Sequence, residues 1–137
     1  MKEVKWGIIA AGSIANAFAH SIQYSENAKL SCVLGRNDEK VNSFAEKHNC
    51  QPYLDLDSFL DSDIEAVYIA TPHDSHFHYS MEVINRKLHV LCEKPLSVNS
   101  TEAMILMNEA KKNDVFLMEA FMYLSLIHIS EPTRHLF

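Results

Sequence analysis

The chain has 137 residues, of which 47% are hydrophobic and 22% are charged. This length suits one domain with a buried core and leaves no room for a second domain. The formal net charge of −6 argues against a general affinity for nucleic acid or an anionic membrane, although one local basic site for a phosphate is compatible with it.

The first part of the chain predicts an alternation of strands and helices. An apolar run at 4–10 is too short for a helix and predicts a buried strand, whereas apolar residues at helical spacing predict a helix over 13–24. A second strand is predicted at 29–35, and Asn37 can cap the helix that follows. The inner face of that helix would consist of Val41, Phe44 and Ala45.

The second part continues the same alternation. A short extended stretch around Tyr53 leads into a brief helix that starts at Asp55 or Asp57 and ends at Leu60. The later elements are predicted as a strand at 65–70, a helix at 74–86, a strand at 88–92, a helix capped by Ser100 and a strand at 115–118. The inner face of the last helix would consist of Ala103, Leu106, Met107 and Ala110. Alternating strands and helices predict an α/β doubly wound parallel sheet.

The turn between the first strand and the first helix has the sequence AAGSIA at 10–15. It matches a G-x-G-x-x-G/A dinucleotide fingerprint whose first position has changed to Ala10. Gly12 stands where a side chain would block a pyrophosphate, and Ala15 is small enough for close helix–strand packing. An ordinary turn of small residues is the alternative, but the position between strand and helix favours nucleotide binding.

The end of the second strand indicates which dinucleotide binds. An acid there would bind the ribose hydroxyl of NAD, but the strand ends at Gly35 and is followed by Arg36 and Asn37. Arg36 can bind a 2′-phosphate through its guanidinium, and Asn37 adds a donor. NADP is therefore the expected cofactor and NAD the less favoured one, with a solvated Arg36 as the alternative.

Two later segments resemble a known family. A TP-x-x-x-H turn runs from Thr71 to His76, and an EKP motif occupies Glu93 to Pro95. These motifs, with the opening KWGIIAAGSIANAFA and the later FLMEAFMY, resemble the Gfo/Idh/MocA oxidoreductases over 5–123. Within that family the chain is most similar to NADP-linked dihydrodiol and D-xylose dehydrogenases. Ala10 is a departure, since many members have Gly there.

The resemblance implies a Rossmann-type domain that ends before an α+β substrate domain. It implies that Lys94 lies beside the nicotinamide and transfers a proton, that Glu93 orients Lys94 or contacts the cofactor ribose, and that Pro95 fixes the turn through a cis peptide bond. The residues expected to contact the cofactor are Ala10, Gly12, Ser13, Ile14, Arg36, Asn37, Thr71, Pro72, His73, His76, Glu93, Lys94 and Pro95.

Three histidines, His73, His76 and His78, lie close together in the sequence. Neither a nearby cysteine nor a well-spaced acid completes a metal site, so we expect no metal there. Imidazoles that line a cofactor cleft or cap a helix explain these residues better.

The segment at 124–137 is expected to be non-native. Residues 124–134 read LSLIHISEPTR, which matches the in-frame translation of a common transposase sequencing adapter. A native strand with alternating apolar residues is the alternative. The domain is therefore expected to span 1–123, and the adapter-derived segment is expected to contribute nothing to the fold.

The function expected from these features is hydride transfer between NADP(H) and a carbohydrate, polyol or dihydrodiol in a longer parent protein, with the chain alone inactive. A non-catalytic nucleotide-binding or redox-sensing module is the alternative. The three cysteines form no C-x-x-C pair and the N-terminus lacks a signal-like apolar run, so a cytoplasmic location is expected. We expect a homo-oligomeric parent and neither nucleic acid nor membrane as a partner.

Overall fold

The structure is a computed structural model that describes residues 3–10 and 12–120. Its strands are β1 (Val4–Ile9), β2 (Ala28–Leu34), β3 (Gln51–Tyr53), β4 (Ala66–Ile69), β5 (His89–Glu93) and β6 (Leu117–Ala120). Its helices are α1 (Ser13–Ile22), α2 (Asp38–His48), α3 (Leu56–Leu60), α4 (His76–Asn85) and α5 (Ser100–Lys112), with a 3₁₀ turn at His73–Ser75 before α4.

The six strands form one parallel sheet in the order β3-β2-β1-β4-β5-β6. The chain builds outward from β1 through β2 and β3, then crosses back to add β4, β5 and β6 on the other side. The α/β doubly wound fold predicted from the sequence is confirmed. Since the strand order reverses between β1 and β4, a crevice forms at the carboxyl ends of these strands, where ligands bind in open α/β sheets.

Helices cover both faces of the sheet because strand residues alternate between two apolar cores. On one face Phe18 of α1 stacks on Tyr68 of β4, with ring centroids 4.2 Å apart. On the opposite face Phe59, Ile84 and Leu106 extend the core from α3, α4 and α5. Each of these fully buried side chains contributes about 1.5–3 kcal/mol through removal of apolar surface from water.

Capping side chains determine where α3 and α5 begin. Asn99 caps α5, since its side-chain oxygen accepts a hydrogen bond of 2.8 Å from the backbone N–H of Glu102. The prediction of Ser100 as the cap is wrong because Ser100 is already the first residue of the helix. At α3, where the sequence left two aspartates open, Asp55 is the cap and accepts from the N–H of Ser58 at 2.9 Å.

The prediction that Met107 lies on the inner face of α5 is also wrong. Met107 is 59% exposed, whereas Leu106 is fully buried and Ala110 is 4% exposed. Consecutive helical residues differ by about 100° around the axis, so a face centred on Leu106 and Ala110 turns Met107 outward. None of the helices in the described residues combines the length and the apolar character needed to cross a bilayer.

Other differences concern element ends. The helix predicted from residue 74 begins at His76, because residues 73–75 form the separate 3₁₀ turn. The last strand lies at Leu117–Ala120 rather than 115–118, because its pairing with β5 starts at Leu117. The segment at 124–137, predicted to be non-native, lies outside the described residues.

Candidate functional site

A cavity of about 1240 Å³ opens at the carboxyl ends of β1, β2 and β4. Its walls come from the turn after each of these strands and from one side of α2, with further contributions from Leu54, Leu56 and Tyr79. The expected cofactor contacts that line it are Ala10, Gly12, Ser13, Arg36, Asn37, Thr71 and Pro72. The strand order thus brings three separate predicted segments to one cleft.

The turn after β1 begins with a backbone conformation that is unusual for its residue. Ala10 has a φ of 98°, in the region that favours glycine, and its N–H donates to the carbonyl of Leu34 at 2.7 Å. Glycine adopts this φ without steric cost, which agrees with the glycine that the G-x-G-x-x-G/A fingerprint has at this position. The turn forms with alanine, at the cost of local strain.

Gly12 leaves the next part of the turn open. It is the N-cap residue of α1, and no heavy atom lies within 4 Å of the position that a Cβ would take. The side chain of Asn16 donates to the Gly12 carbonyl at 3.1 Å and so stabilises this end of the helix. The first N–H groups of α1 and its positive dipole end thus meet open space that fits a phosphate. Ile14, also expected to contact the cofactor, is 36% exposed and is not among the described lining residues.

The turn after β2 and the helix α2 carry the cations that line the cavity, which are Arg36, Lys40 and Lys47. Asn37 caps α2 by accepting from the N–H of Lys40 at 2.9 Å, and Arg36 and Lys40 both line the cavity. Glu39 is an acidic residue on the same wall. Lys40 and Lys47 were not predicted as site residues, although Lys40 follows Arg36 by four residues in a helix with a recognisable cap.

The turn after β4 is held by its own hydrogen bonds. The Ser75 hydroxyl lies 2.7 Å from Thr71 Oγ1 and 2.7 Å from the carbonyl oxygen of Pro72. Thr71 and Pro72 face the cavity, whereas His73 is exposed on the 3₁₀ turn and is not among the described lining residues.

His76 is a buried polar side chain, only 1% exposed. Its Nδ1 lies 2.6 Å from the carbonyl oxygen of Pro95, and its Nε2 lies 2.8 Å from that of Thr71. The ring therefore joins the turn after β4 to the turn after β5.

Glu93 ends β5 and is 7% exposed. The Tyr68 hydroxyl donates to Glu93 Oε2 at 2.5 Å. Burial, and then the bond to this carboxylate, raise the pKa of Tyr68 far above its usual range, so the hydroxyl remains a donor. The structure thus engages the Glu93 carboxylate with Tyr68 on the α1 side of the sheet.

Lys94 is exposed at the carboxyl end of β5, and the Lys94–Pro95 peptide bond is cis, as the resemblance implies. The neighbouring strand anchors this turn. The Lys94 N–H donates to the carbonyl of Ala120 at 3.2 Å, and the Leu96 N–H donates to Glu119 Oε2 at 2.7 Å. The Lys94 backbone is therefore attached to β6.

Arg36 and Lys94 follow strands on opposite sides of the point where the strand order reverses, and Lys94 is not among the described residues that line the cavity. They follow β2 and β5, which are three strand spacings apart, or about 14 Å. Such a separation suits an extended ligand that contacts both ends. Among the described residues, no three His, Cys, Asp or Glu side chains are grouped so that they could hold a metal ion.

Residues 4–121 match the sequence model of the Gfo/Idh/MocA family, an oxidoreductase family with an NAD-binding Rossmann fold. The chain belongs to this family. The Gfo/Idh/MocA resemblance seen in the TP-x-x-x-H and EKP motifs is therefore confirmed.

Several curated proteins and solved structures resemble the chain. It is 36% identical to scyllo-inositol 2-dehydrogenase (NADP(+)) of Bacillus subtilis, over 97% of the chain and 41% of that protein. It is 34% identical to trans-1,2-dihydrobenzene-1,2-diol dehydrogenase of Danio rerio, over 85% of the chain and 36% of that protein. A 3-ketoreductase of Actinomadura kijaniata, solved with NADP, shares the fold with a TM-score of 0.86 at 24% identity, over 98% of the chain and 42% of that structure. The chain therefore spans well under half the length of these proteins.

Proposed function

We propose that the chain is the cofactor-binding part of an NADP(H)-dependent oxidoreductase that acts on a carbohydrate, a polyol or a dihydrodiol. The observation that carries this proposal is the cleft, in which open space at Gly12 leads to two cations, Arg36 and Lys40. Relatives named as an NADP(+)-dependent inositol dehydrogenase and a dihydrodiol dehydrogenase support it.

Separate parts of the cleft would bind the pyrophosphate and the 2′-phosphate of the dinucleotide. Gly12 and the first turn of α1 would hold the pyrophosphate, because a Cβ at residue 12 would occupy the same open space. Arg36 and Lys40 would bind the 2′-phosphate through charge-assisted hydrogen bonds. The acids of the cavity lower the favourable potential without removing it, since three cations face two acids. These lining residues are Arg36, Lys40, Lys47, Glu39 and Asp74.

Lys94 would act at the substrate oxygen. NADP(H), when bound, supplies or accepts the hydride. The Lys94 ammonium would donate a hydrogen bond to the oxygen that gains or loses a proton as the C–O bond order changes. A cation so placed stabilises the negative charge that develops on this oxygen.

As part of the same proposal, the parent protein is a cytoplasmic homo-oligomer. The free state of Cys32, Cys50 and Cys92 supports the cytoplasmic location.

Calorimetry of the chain with NADP and with NAD tests the cofactor assignment. We expect tighter binding of NADP, and we expect Arg36→Ala to weaken it by about 10- to 100-fold, since a hydrogen bond to a charged group contributes about 1.5–3 kcal/mol. Binding of NAD should change by less than about twofold. Lys29→Ala, which removes a cation at the opposite end of β2, is the matched control. Tighter binding of NAD, or an equal loss for both cofactors in Arg36→Ala, would refute the assignment.

Steady-state kinetics of the full-length parent protein test the catalytic part. Lys94→Ala should abolish most of the turnover while the dissociation constant of NADP stays within about threefold of the wild type. A wild-type parent that binds NADP but shows no turnover with sugars, polyols or dihydrodiols would instead favour the nucleotide-sensing alternative.

A further inference from the structure

We propose that His76 is the positioning residue of the turn at Lys94, and that it acts as an imidazolium protonated on both ring nitrogens. The inference rests on the proposed function, in which Lys94 acts at the substrate oxygen. It is carried by the two contacts of the buried ring, at 2.6 Å to the carbonyl oxygen of Pro95 and at 2.8 Å to that of Thr71.

The identity of the two partners determines the protonation state of His76. Both are backbone carbonyl oxygens, which accept hydrogen bonds and have no proton to donate. A neutral imidazole carries one N–H, so its other nitrogen would direct a lone pair at a carbonyl oxygen less than 3 Å away. Only a ring with two N–H groups makes both bonds attractive, and a charged donor strengthens each of them.

The burial of the His76 ring makes both hydrogen bonds structurally important. The ring is 1% exposed, so water cannot replace either acceptor. Charged and titratable groups on the segments that the ring joins are Glu93 and Lys94 before Pro95, Glu119 on the adjoining strand, and His73 and Asp74 on the turn after Thr71.

The bond to Pro95 acts on Lys94 through the main chain. On its other side, the turn is attached to β6 by the Lys94 N–H and by the Leu96 N–H. The backbone around Lys94 is therefore held from two sides, by His76 of α4 and by β6. The same ring fixes the turn at Thr71, so the cofactor wall and the lysine keep one relative position. A displacement of about 1 Å at a reacting group can lower a rate by about 100-fold.

Nitrogen NMR of the ¹⁵N-labelled chain near neutral pH tests the protonation state directly. We expect both ring nitrogens of His76 to give N–H-type signals, assigned by through-bond correlations from the ring to the His76 main chain. A spectrum in which one ring nitrogen of His76 carries a lone pair would overturn the proposal. This measurement uses the wild-type chain, so it stands even if the variant does not fold.

Kinetics of the full-length parent protein test the positioning role. His76→Gln, whose amide can donate toward only one of the two turns, should lower kcat by at least about tenfold while the dissociation constant and stoichiometry of NADP change less than about threefold. His78→Gln, on the exposed side of the same helix, is the matched control and should retain wild-type kcat. Equal kcat values for the two variants would overturn the positioning role. A wild-type parent without turnover would refute the proposed function instead. The NMR measurement would then still test whether His76 is protonated on both ring nitrogens.

Discussion

At the scale of single residues, Ala10 holds a backbone conformation that its own side chain disfavours. Its φ of 98° brings the Cβ close to neighbouring main-chain atoms, at a cost of about 1–2 kcal/mol. Ala10→Gly removes this strain, and the larger freedom of glycine in the unfolded chain offsets about 0.4–1 kcal/mol of the gain. We therefore expect a net rise of up to about 1.6 kcal/mol in the free energy of unfolding, measured by urea denaturation.

Ala15→Gly is the control for this prediction. Ala15 lies in the interior of α1 and is 1% exposed, so its replacement should lower the free energy of unfolding by about 1 kcal/mol or more. A loss of stability in Ala10→Gly of the same size as in Ala15→Gly would contradict the strain at residue 10.

At the scale of elements, a neutral histidine stabilises the residue that leads into β6. The N–H of Phe116 donates to His89 Nδ1 at 3.0 Å, which requires a lone pair on that nitrogen. Burial lowers the pKa of His89 below its ordinary value of 6.5, although Glu65 and Asp114 oppose the shift. This contribution to stability is therefore present above pH 6.5 and is lost as the pH falls through the lowered pKa.

We expect acidification from pH 7 to pH 5 to speed amide hydrogen exchange at Phe116 and along β6 more than at β1, after correction for the intrinsic exchange rate. The reason is that protonated His89 can no longer accept from Phe116. His89→Asn keeps a side-chain acceptor that does not titrate, so its exchange should show little of this dependence. An unchanged pH dependence in His89→Asn would exclude the histidine as the cause.

The order of the elements was predictable because it follows from local patterns. Apolar runs such as 65–70 identify strands without any tertiary information, and parallel pairing follows from their alternation with helices. The inner face of α5 was less predictable, since Met104 and Met107 have the same spacing as buried residues and only packing on the sheet decides which face is covered. The cap at Asn99 competed with an equally suitable Ser100 one residue later.

At the scale of the whole molecule, two buried thiols and one half-buried thiol link folding to alkaline pH. Burial raises the pKa of Cys32 to about 11 and the pKa of Cys50 and Cys92 to about 12, from an ordinary value of 9.0. Since the unfolded chain releases these protons first, stability is complete below pH 9 and is lost as the pH rises towards 12. Each thiol can lower the free energy of unfolding by at most about 1.4 kcal/mol per pH unit in that window.

Urea denaturation at a series of pH values from 8 to 11 measures this loss. A variant with alanine at the three cysteine positions should be less stable at pH 8, because it loses packing, but its stability should fall less steeply with pH. Parallel curves for the wild type and the triple variant would show that the thiols do not cause the alkaline loss.

The site was predictable where motifs are contiguous and unpredictable where distant segments meet. Gly12, Arg36 and the EKP motif could be placed because each lies at a recognisable strand end. The contact of His76 with Pro95 spans 19 residues and that of Leu96 with Glu119 spans 23, so neither leaves a local pattern in the sequence. Lys40 was readable in principle, because it follows Arg36 by one helical turn.

The cavity is lined by residues no later in the chain than Tyr79, whereas the EKP turn comes afterwards. Nucleotide binding and catalytic activity can therefore be measured independently of each other. Chromatography on immobilised 2′,5′-ADP should retain inactive variants of Lys94 as firmly as the wild type, and it should let Arg36 variants pass through. A single column step would thus separate variants that have lost nucleotide binding from variants that have lost only catalytic activity.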